Sequence, residues 1–254
     1  LSPVILLNPI DNAALRKAYG ITDEYDYIKN SIYKTYLACD AVSEEILLSH
    51  HYRCNQKIIE FNNKKYYNGK LVIDSKSTQE KPLVFMDVED DASYYRNTAP
   101  REAEEIVKYA LKNSDKSIGV ITPFANQKEL INEELKKNGI GNVTCGTVHA
   151  FQGDEKDVVL FSLALTPNTA PGTYEWLKNN RELINVATSR AREQLIVLSN
   201  SRELERLHSE GQDDIYELVS YVKSNGESQV TPRENSSRAL GIKPYSTQTE
   251  SAFL

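Results

Sequence analysis

Between Val158 and Leu165 the chain carries its longest apolar run, VVLFSLAL. A strand with apolar residues at consecutive positions has two faces to bury, so it belongs inside a sheet covered by helices on both sides. Pro82–Val88, Ser117–Thr122 and Leu195–Ser199 repeat the pattern, and Val4–Leu7, Glu45–Leu48 and Asn142–Thr147 are shorter strand candidates. Helical periodicity fills the gaps. Tyr27–Val42 places Ile28, Ile32, Tyr36 and Leu37 on one face, and Pro100–Lys112 does the same with Ala103, Ile106, Val107 and Ala110. Asn126–Asn138 buries Leu130, Ile131 and Leu135, with Gly139 just past its end as a helix stop. Shorter helices are expected at Gln56–Phe61, Arg202–His208 and Asp214–Ser224, while Asp11–Asp26 reads as loop or a short helix. Lys178–Glu193 is expected to be one helix with a buried stripe at Ile184, Ala187 and Ala191. The fold class is therefore α/β: a three-layer, mainly parallel sheet with helices on both faces and right-handed crossovers.

Residues 1–224 are expected to form this domain. From Asn225 the composition turns to Ser, Asn, Gly, Thr and Pro, so 225–254 reads as a linker and the start of an incomplete C-terminal element. The net charge of −6 argues against bulk electrostatic coating of nucleic acid, though not against a local basic groove. Three cysteines at unpatterned spacing fit free thiols in a reducing compartment, and with no apolar run of membrane-spanning length the expected location is cytoplasmic. The opening Leu-Ser-Pro, without Met, suggests a segment of a longer protein.

In open α/β sheets ligands bind outside the carboxyl ends of the strands. That rule selects His50–Cys54, Thr122–Asn126 and Thr147–Glu155, with Asn185–Arg192 as a fourth candidate on a helix. They offer arginines, amides, hydroxyls and carboxylates, but no phosphate-cradling glycine loop and no serine elbow. His50, His51 and Cys54 lack a second half-set of zinc ligands, so no metal site is expected. Arg190 and Arg192, two positions apart on a helix, differ by about 200°, so one faces a site and the other faces solvent or a carboxylate.

Taken together these loops resemble the second, C-terminal RecA-like motor domain of superfamily 1 helicases, in the branch of the nonsense-mediated-decay helicase, a P-loop NTPase fold. LLSHHYRCNQKIIEFNNKKYYNGKL resembles motif IV, ITPFANQKELI the following block, TVHAFQGDEKDVVLFS motif V and INVATSRAREQLIVL motif VI. The resemblance spans roughly residues 45–200. It implies that Arg53 and Arg190 reach the γ-phosphate of ATP across an interdomain cleft as catalytic arginine fingers. Tyr52 would stack on the base, and Gln152, Gly153 and Glu155 would lie at the nucleotide. Thr122, Thr147 and His149 would lie towards the nucleic acid.

The family's Walker A lysine and Mg²⁺-binding acidic pair belong to its first RecA-like domain and do not occur here. ATP and Mg²⁺ are thus expected to be held jointly with a first motor domain of the same full-length chain, and this stretch alone is expected to be inactive. Single-stranded DNA or RNA is the implied substrate, with no membrane partner. The rival readings are a catalytically degenerate RecA-like domain serving as a nucleic-acid or protein platform, and a stand-alone α/β enzyme, which lacks any complete catalytic set.

Overall fold

The structure is a computed structural model that describes residues 9–26, 28–39, 46–77, 79–91, 95–151 and 155–231. The chain begins with α1 (Pro9–Tyr19), a single 3₁₀ turn at Asp23–Tyr25 and α2 (Ile32–Cys39). A small βαβ unit follows: β1 (His50–His51), α3 (Gln56–Tyr66) and β2 (Val72–Ile73), the two strands pairing in parallel. The body is built from β3 (Leu83–Asp87), α4 (Pro100–Lys112), β4 (Ile118–Thr122), α5 (Ala125–Lys137), β5 (Thr144–Thr147), a 3₁₀ turn at Val148–Phe151, and β6 (Lys156–Ser162). It closes with α6 (Pro171–Lys178), α7 (Arg181–Thr188), β7 (Ala191–Ser199), α8 (Ser201–Leu207), α9 (Asp214–Asn225) and β8 (Glu227–Val230).

Among the described residues the main sheet is six-stranded and wholly parallel, in the order β5-β4-β6-β7-β3-β8. The consecutive apolar positions divide between two cores, as the doubly covered sheet requires. Val84, Met86, Val120, Leu160 and Ile196 face α4 and α5, meeting Ile106, Val107, Ile131 and Leu135. Leu83, Phe85, Val159, Phe161 and Val197 face the opposite layer, meeting Ile58 and Phe61 of α3, Ile184 of α7, and Leu218 and Val222 of α9. A neighbouring residue along one strand thus serves the other core. The three-layer α/β architecture is the one the apolar runs imply.

Four expectations need correction. The long helix at Lys178–Glu193 is two elements: α7 stops at Thr188, and Ala191 opens β7. The Thr188 hydroxyl at this end has one proton and lies 2.8 Å from both the Ile184 carbonyl and the Asn62 amide oxygen, so it can serve the Asn62 amide across the helix interface. Among the described residues of the helix expected at Tyr27–Val42, Ile32–Cys39 is helical and buries none of its residues; Ile32, Tyr36 and Leu37 are exposed. No strand covers Ile46–Leu48, and β1 starts later, at His50. Finally, Glu227–Val230 lies within the supposed linker yet adds a strand along β3. The strand candidate Val4–Leu7, the residues 40–45 and everything from 232 onward lie outside the described residues.

Gly226 makes that last strand possible. A Cβ here would stand 2.2 Å from the Leu83 carbonyl oxygen and 2.8 Å from its carbonyl carbon, a clash with backbone that no rotamer relieves. Gly226→Ala is expected to cost about 1–3 kcal/mol, the usual penalty for overpacking. Urea unfolding of the variant beside the parent measures this, and equal midpoints would show that the turn yields freely.

Candidate functional site

Arg53 sits where β1 passes into α3. The helix is started by Asn55, whose side chain accepts the Lys57 amide, while its own backbone N–H donates to the Arg192 carbonyl at 2.7 Å. That bond fixes the Arg53 loop to the first residues of β7. Arg190 lies one residue before β7, and its carbonyl accepts the backbone N–H of Lys156, the first residue of β6, at 3.1 Å. Glu155, just before Lys156, pairs with Arg53: Nε to Oε1 is 2.9 Å, with each side chain about one-third exposed.

Cys54 joins the pieces. Its thiol is fully buried and donates to the Ser189 carbonyl at 3.3 Å, next to Arg190. Burial pushes the thiol up to about 12; the Arg53 and Arg190 cations oppose that rise and the Glu155 anion adds to it. The three charged groups therefore all lie within electrostatic reach of one atom, and that atom stays a neutral, unreactive thiol. Burial also lowers His51, as does the Arg53 charge, against a smaller opposite pull from Glu155. The neutral ring suits its hydrogen bond, in which Nε2 accepts the Cys54 N–H at 3.0 Å.

Tyr52 projects outward with 66% of its surface exposed, and it stacks on His50 with ring centres 5.9 Å apart and planes 18° apart. His50 is held by Asp74, Nδ1 to Oδ2 at 3.1 Å. A cavity of about 160 Å³ opens beside these groups, with His50, His51, Arg53 and Ser189 among its polar lining. Chemically, this surface offers the permanently charged Arg53 guanidinium and an exposed ring. A polyphosphate arriving here would compete with Glu155 for Arg53.

This group lies at the amino ends of β6 and β7, the reverse of the carboxyl-end expectation. Thr122 and Thr147 close β4 and β5 at the carboxyl edge, where they are register partners. The two groups are thus separated by about 17 Å, the length of a five-residue strand. Thr122 is fully buried, and its hydroxyl accepts the Phe124 amide, so it has no side-chain surface to offer a strand of nucleic acid; Thr147 is half-buried. His149 belongs by its backbone to the turn after β5, and its side chain, like Gln152 and Gly153, lies outside what is described. The segment after β5 has to travel from one edge of the sheet to the other. Gly119 gives it room: a Cβ there would stand 2.8 Å from the Phe151 ring and 2.7 Å from the Lys156 side chain.

The helical argument for Arg190 and Arg192 falls with the helix. Arg192 is in β7 and pairs with Asp157 of β6, while Arg190 is in the turn before it. Sequence reasoning passed over Cys54 as a bridge; a small apolar-like residue directly before a capping Asn was the available signal. Among the described residues no cluster of three His, Cys, Asp or Glu side chains is placed to hold a metal ion, and no helix is long and apolar enough to cross a membrane.

A wholly parallel sheet between two helical layers is the architecture of a RecA-like α/β domain. A family model described as an AAA domain matches residues 28–202. An uncharacterized ATP-dependent helicase of Methanocaldococcus jannaschii is 30% identical over 207 residues, covering 70% of this chain and 29% of that protein. The DNA polymerase alpha-associated DNA helicase A of Saccharomyces cerevisiae is 33% identical over 195 residues, covering 61% and 27%. The solved C-terminal domain of a possible DNA helicase from Lactobacillus plantarum overlaps with TM-score 0.41 and 18% identity, covering 62% of this chain and 94% of that one, too loosely to carry an argument. The chain spans less than a third of the length of these curated relatives. With well over half of its residues matched, it belongs to the AAA-domain family, as a RecA-like domain of the superfamily 1 helicase type.

Proposed function

We propose that this is the second motor domain of an ATP-driven helicase or translocase working on single-stranded DNA or RNA. Arg53 and Arg190 act as its arginine fingers, Tyr52 as a base-stacking ring and Glu155 as the carboxylate at the nucleotide. The observation that carries the reading is the Arg53–Glu155 ion pair, with Arg190 close enough to act on the Cys54 thiol, all from loops far apart in sequence. Guanidinium groups suit a triphosphate whose charge grows and moves during transfer. The names of the relatives, one an ATP-dependent helicase and one a DNA helicase, support the same assignment. In this reading Mg²⁺ and the P-loop belong to a first motor domain, and Thr147 with the turn after it lies along the nucleic-acid track.

The test is steady-state ATPase of the full-length protein with and without single-stranded DNA and RNA, beside Arg53→Ala. Stimulated turnover that collapses in the variant supports the motor, and the better stimulant identifies the substrate. A folded full-length protein without ATPase would favour the degenerate platform. This domain by itself, at a net charge of −6, is expected to bind oligonucleotides only weakly. Submicromolar binding at physiological salt in an anisotropy titration would instead point to a complete binding face within it.

A further inference from the structure

The two arginines stand beside each other because two helices do. α3 begins just after Arg53 and α7 ends just before Arg190. The helices run antiparallel. Arg181, at the start of α7, lies over the ring of Tyr66 at the end of α3, with 5.4 Å from guanidinium carbon to ring centre. Further along, Asn62 meets Asn185 and Thr188. The start of α3 therefore lies beside the end of α7, and any slip of α7 along α3 changes where Arg190 stands.

A polar chain crosses that interface. Asn62 has no exposed surface, although its neighbours Ile58, Ile59 and Phe61 are core residues. Its amide nitrogen donates to the Asn185 side-chain oxygen at 2.9 Å and to the Asn185 backbone carbonyl at 3.2 Å. The Thr188 hydroxyl lies 2.8 Å from the Asn62 amide oxygen. Asn185 passes the chain on, its amide nitrogen donating to the Tyr67 hydroxyl at 3.1 Å. The Asn62 side-chain groups are thus satisfied by α7 in one register only. Apolar contacts tolerate sliding, whereas a buried amide left unpaired costs enough to forbid it, the same logic by which a buried Asn sets register in coiled coils.

We infer that Asn62 is a positioning residue for Arg190: through Asn185 and Thr188 it fixes the register of α7 on α3 and so the place of the arginine in the reaction. The inference rests on the proposed finger role of Arg190. Asn62 touches no substrate in this scheme. Its effect is on turnover rather than on binding, since a displaced finger leaves the rest of the nucleotide site unchanged.

The experiment is a double-mutant cycle in the full-length protein, measuring nucleic-acid-stimulated kcat and KM for ATP in the parent, Asn62→Leu, Arg190→Ala and the double variant. Leucine keeps the volume and lacks the amide. Asn62→Leu is expected to lower kcat about tenfold to a hundredfold, the scale of a small misplacement of a reacting group, with KM nearly unchanged. In the Arg190→Ala background it is expected to add no further loss, because the residue it positions is gone. Thr188→Val, which keeps shape and deletes the hydroxyl, carries the same test if Asn62→Leu fails to fold. Unchanged kcat in the single variant, or the same fold-loss in both backgrounds, overturns the inference. Full turnover in Arg190→Ala would overturn instead the finger role on which it rests.

Discussion

Arg190→Ala in the full-length protein is expected to lower stimulated ATP turnover by about a thousandfold or more while KM for ATP changes only a few-fold. A positive group aimed at the transferring phosphoryl contributes most when charge shifts in the transition state, so its loss appears in kcat. The control is built into the same stretch. Arg192 has the same charge, lies two residues away and is engaged by Asp157 on the sheet. Arg192→Ala leaves intact the backbone carbonyl that anchors Asn55, and it is expected to stay within a few-fold of the parent. If both variants lose activity alike, diffuse positive charge at this edge is responsible and the finger role is wrong. If only KM rises, Arg190 is a ground-state binding residue.

The contrast between those arginines also marks where sequence reasoning succeeds and where it stops. The body from Leu83 onward was legible because each buried strand carries apolar residues on both faces and each helix shows its stripe. The boundary between α7 and β7 was not legible. Ile184, Ala187 and Ala191 are all buried, and they keep helical spacing straight across the turn at Ser189-Arg190. A core that surrounds both a helix and the strand after it makes a break look like continuity. In the same way α2 has helical periodicity, yet among the described residues nothing covers its apolar side. Periodicity reports a face suited to burial and cannot say that a partner is present.

The candidate site was readable as residues but not as a place. Arg53, Glu155 and Arg190 came from a likeness of motifs, and no spacing argument would have paired Arg53 with Glu155. The rule that ligands gather at strand carboxyl ends selected Thr147–Glu155 as one loop, yet Thr147 stands at the carboxyl edge and Glu155 at the amino edge. That segment leaves β5 at the carboxyl edge and enters β6 at the amino edge, so Thr147 and Glu155 face opposite ends of one sheet. A crossing of this kind is a property of three-dimensional strand order, in which β4 lies between β5 and β6. In the proposed motor it has a consequence: one short segment connects the nucleotide edge to the nucleic-acid edge.

The carboxyl edge is braced by acids that a sequence scan would place on a wet surface, and they carry the last prediction. Glu102, in the first turn of α4, is fully buried; its Oε2 accepts from the Ser162 hydroxyl at 2.6 Å and from the Ala164 amide at 3.1 Å. Gln127 donates to Ser162 Oγ and bonds both backbone groups of Ala99, tying the starts of α4 and α5 to the end of β6. Asp90 is buried nearby and caps α4 by accepting the Arg101 amide at 3.1 Å. One oxygen of each carboxyl, Asp90 Oδ2 and Glu102 Oε1, is buried with no hydrogen-bond partner among the described residues. Burial raises Asp90 to about 6, against the pull of the Arg101 and Glu102 amides. Glu102 is raised well above the usual carboxyl range, again by burial, with Asp90 adding to it.

Both acids hold protons more tightly folded than unfolded. Their contribution to stability is therefore fully present below the unfolded values near 4 and is lost as pH rises through the folded ones. For Asp90 the loss falls mainly between pH 4 and 6 and amounts to about 3 kcal/mol at neutral pH. Asp90→Asn keeps the capping oxygen and removes the titration, so it is expected to gain on the parent by about that amount between pH 4 and pH 7. Glu102→Gln is expected to extend the gain to higher pH. Urea unfolding of the 254-residue chain at a series of pH values reads this directly. Parent and variant curves that run parallel would mean that the carboxyls are ionised in the fold and compensated there. Diverging curves would mean that the edge assigned to nucleic acid is held together by acids that favour their neutral form, and loosens as the pH rises from 4 through 6.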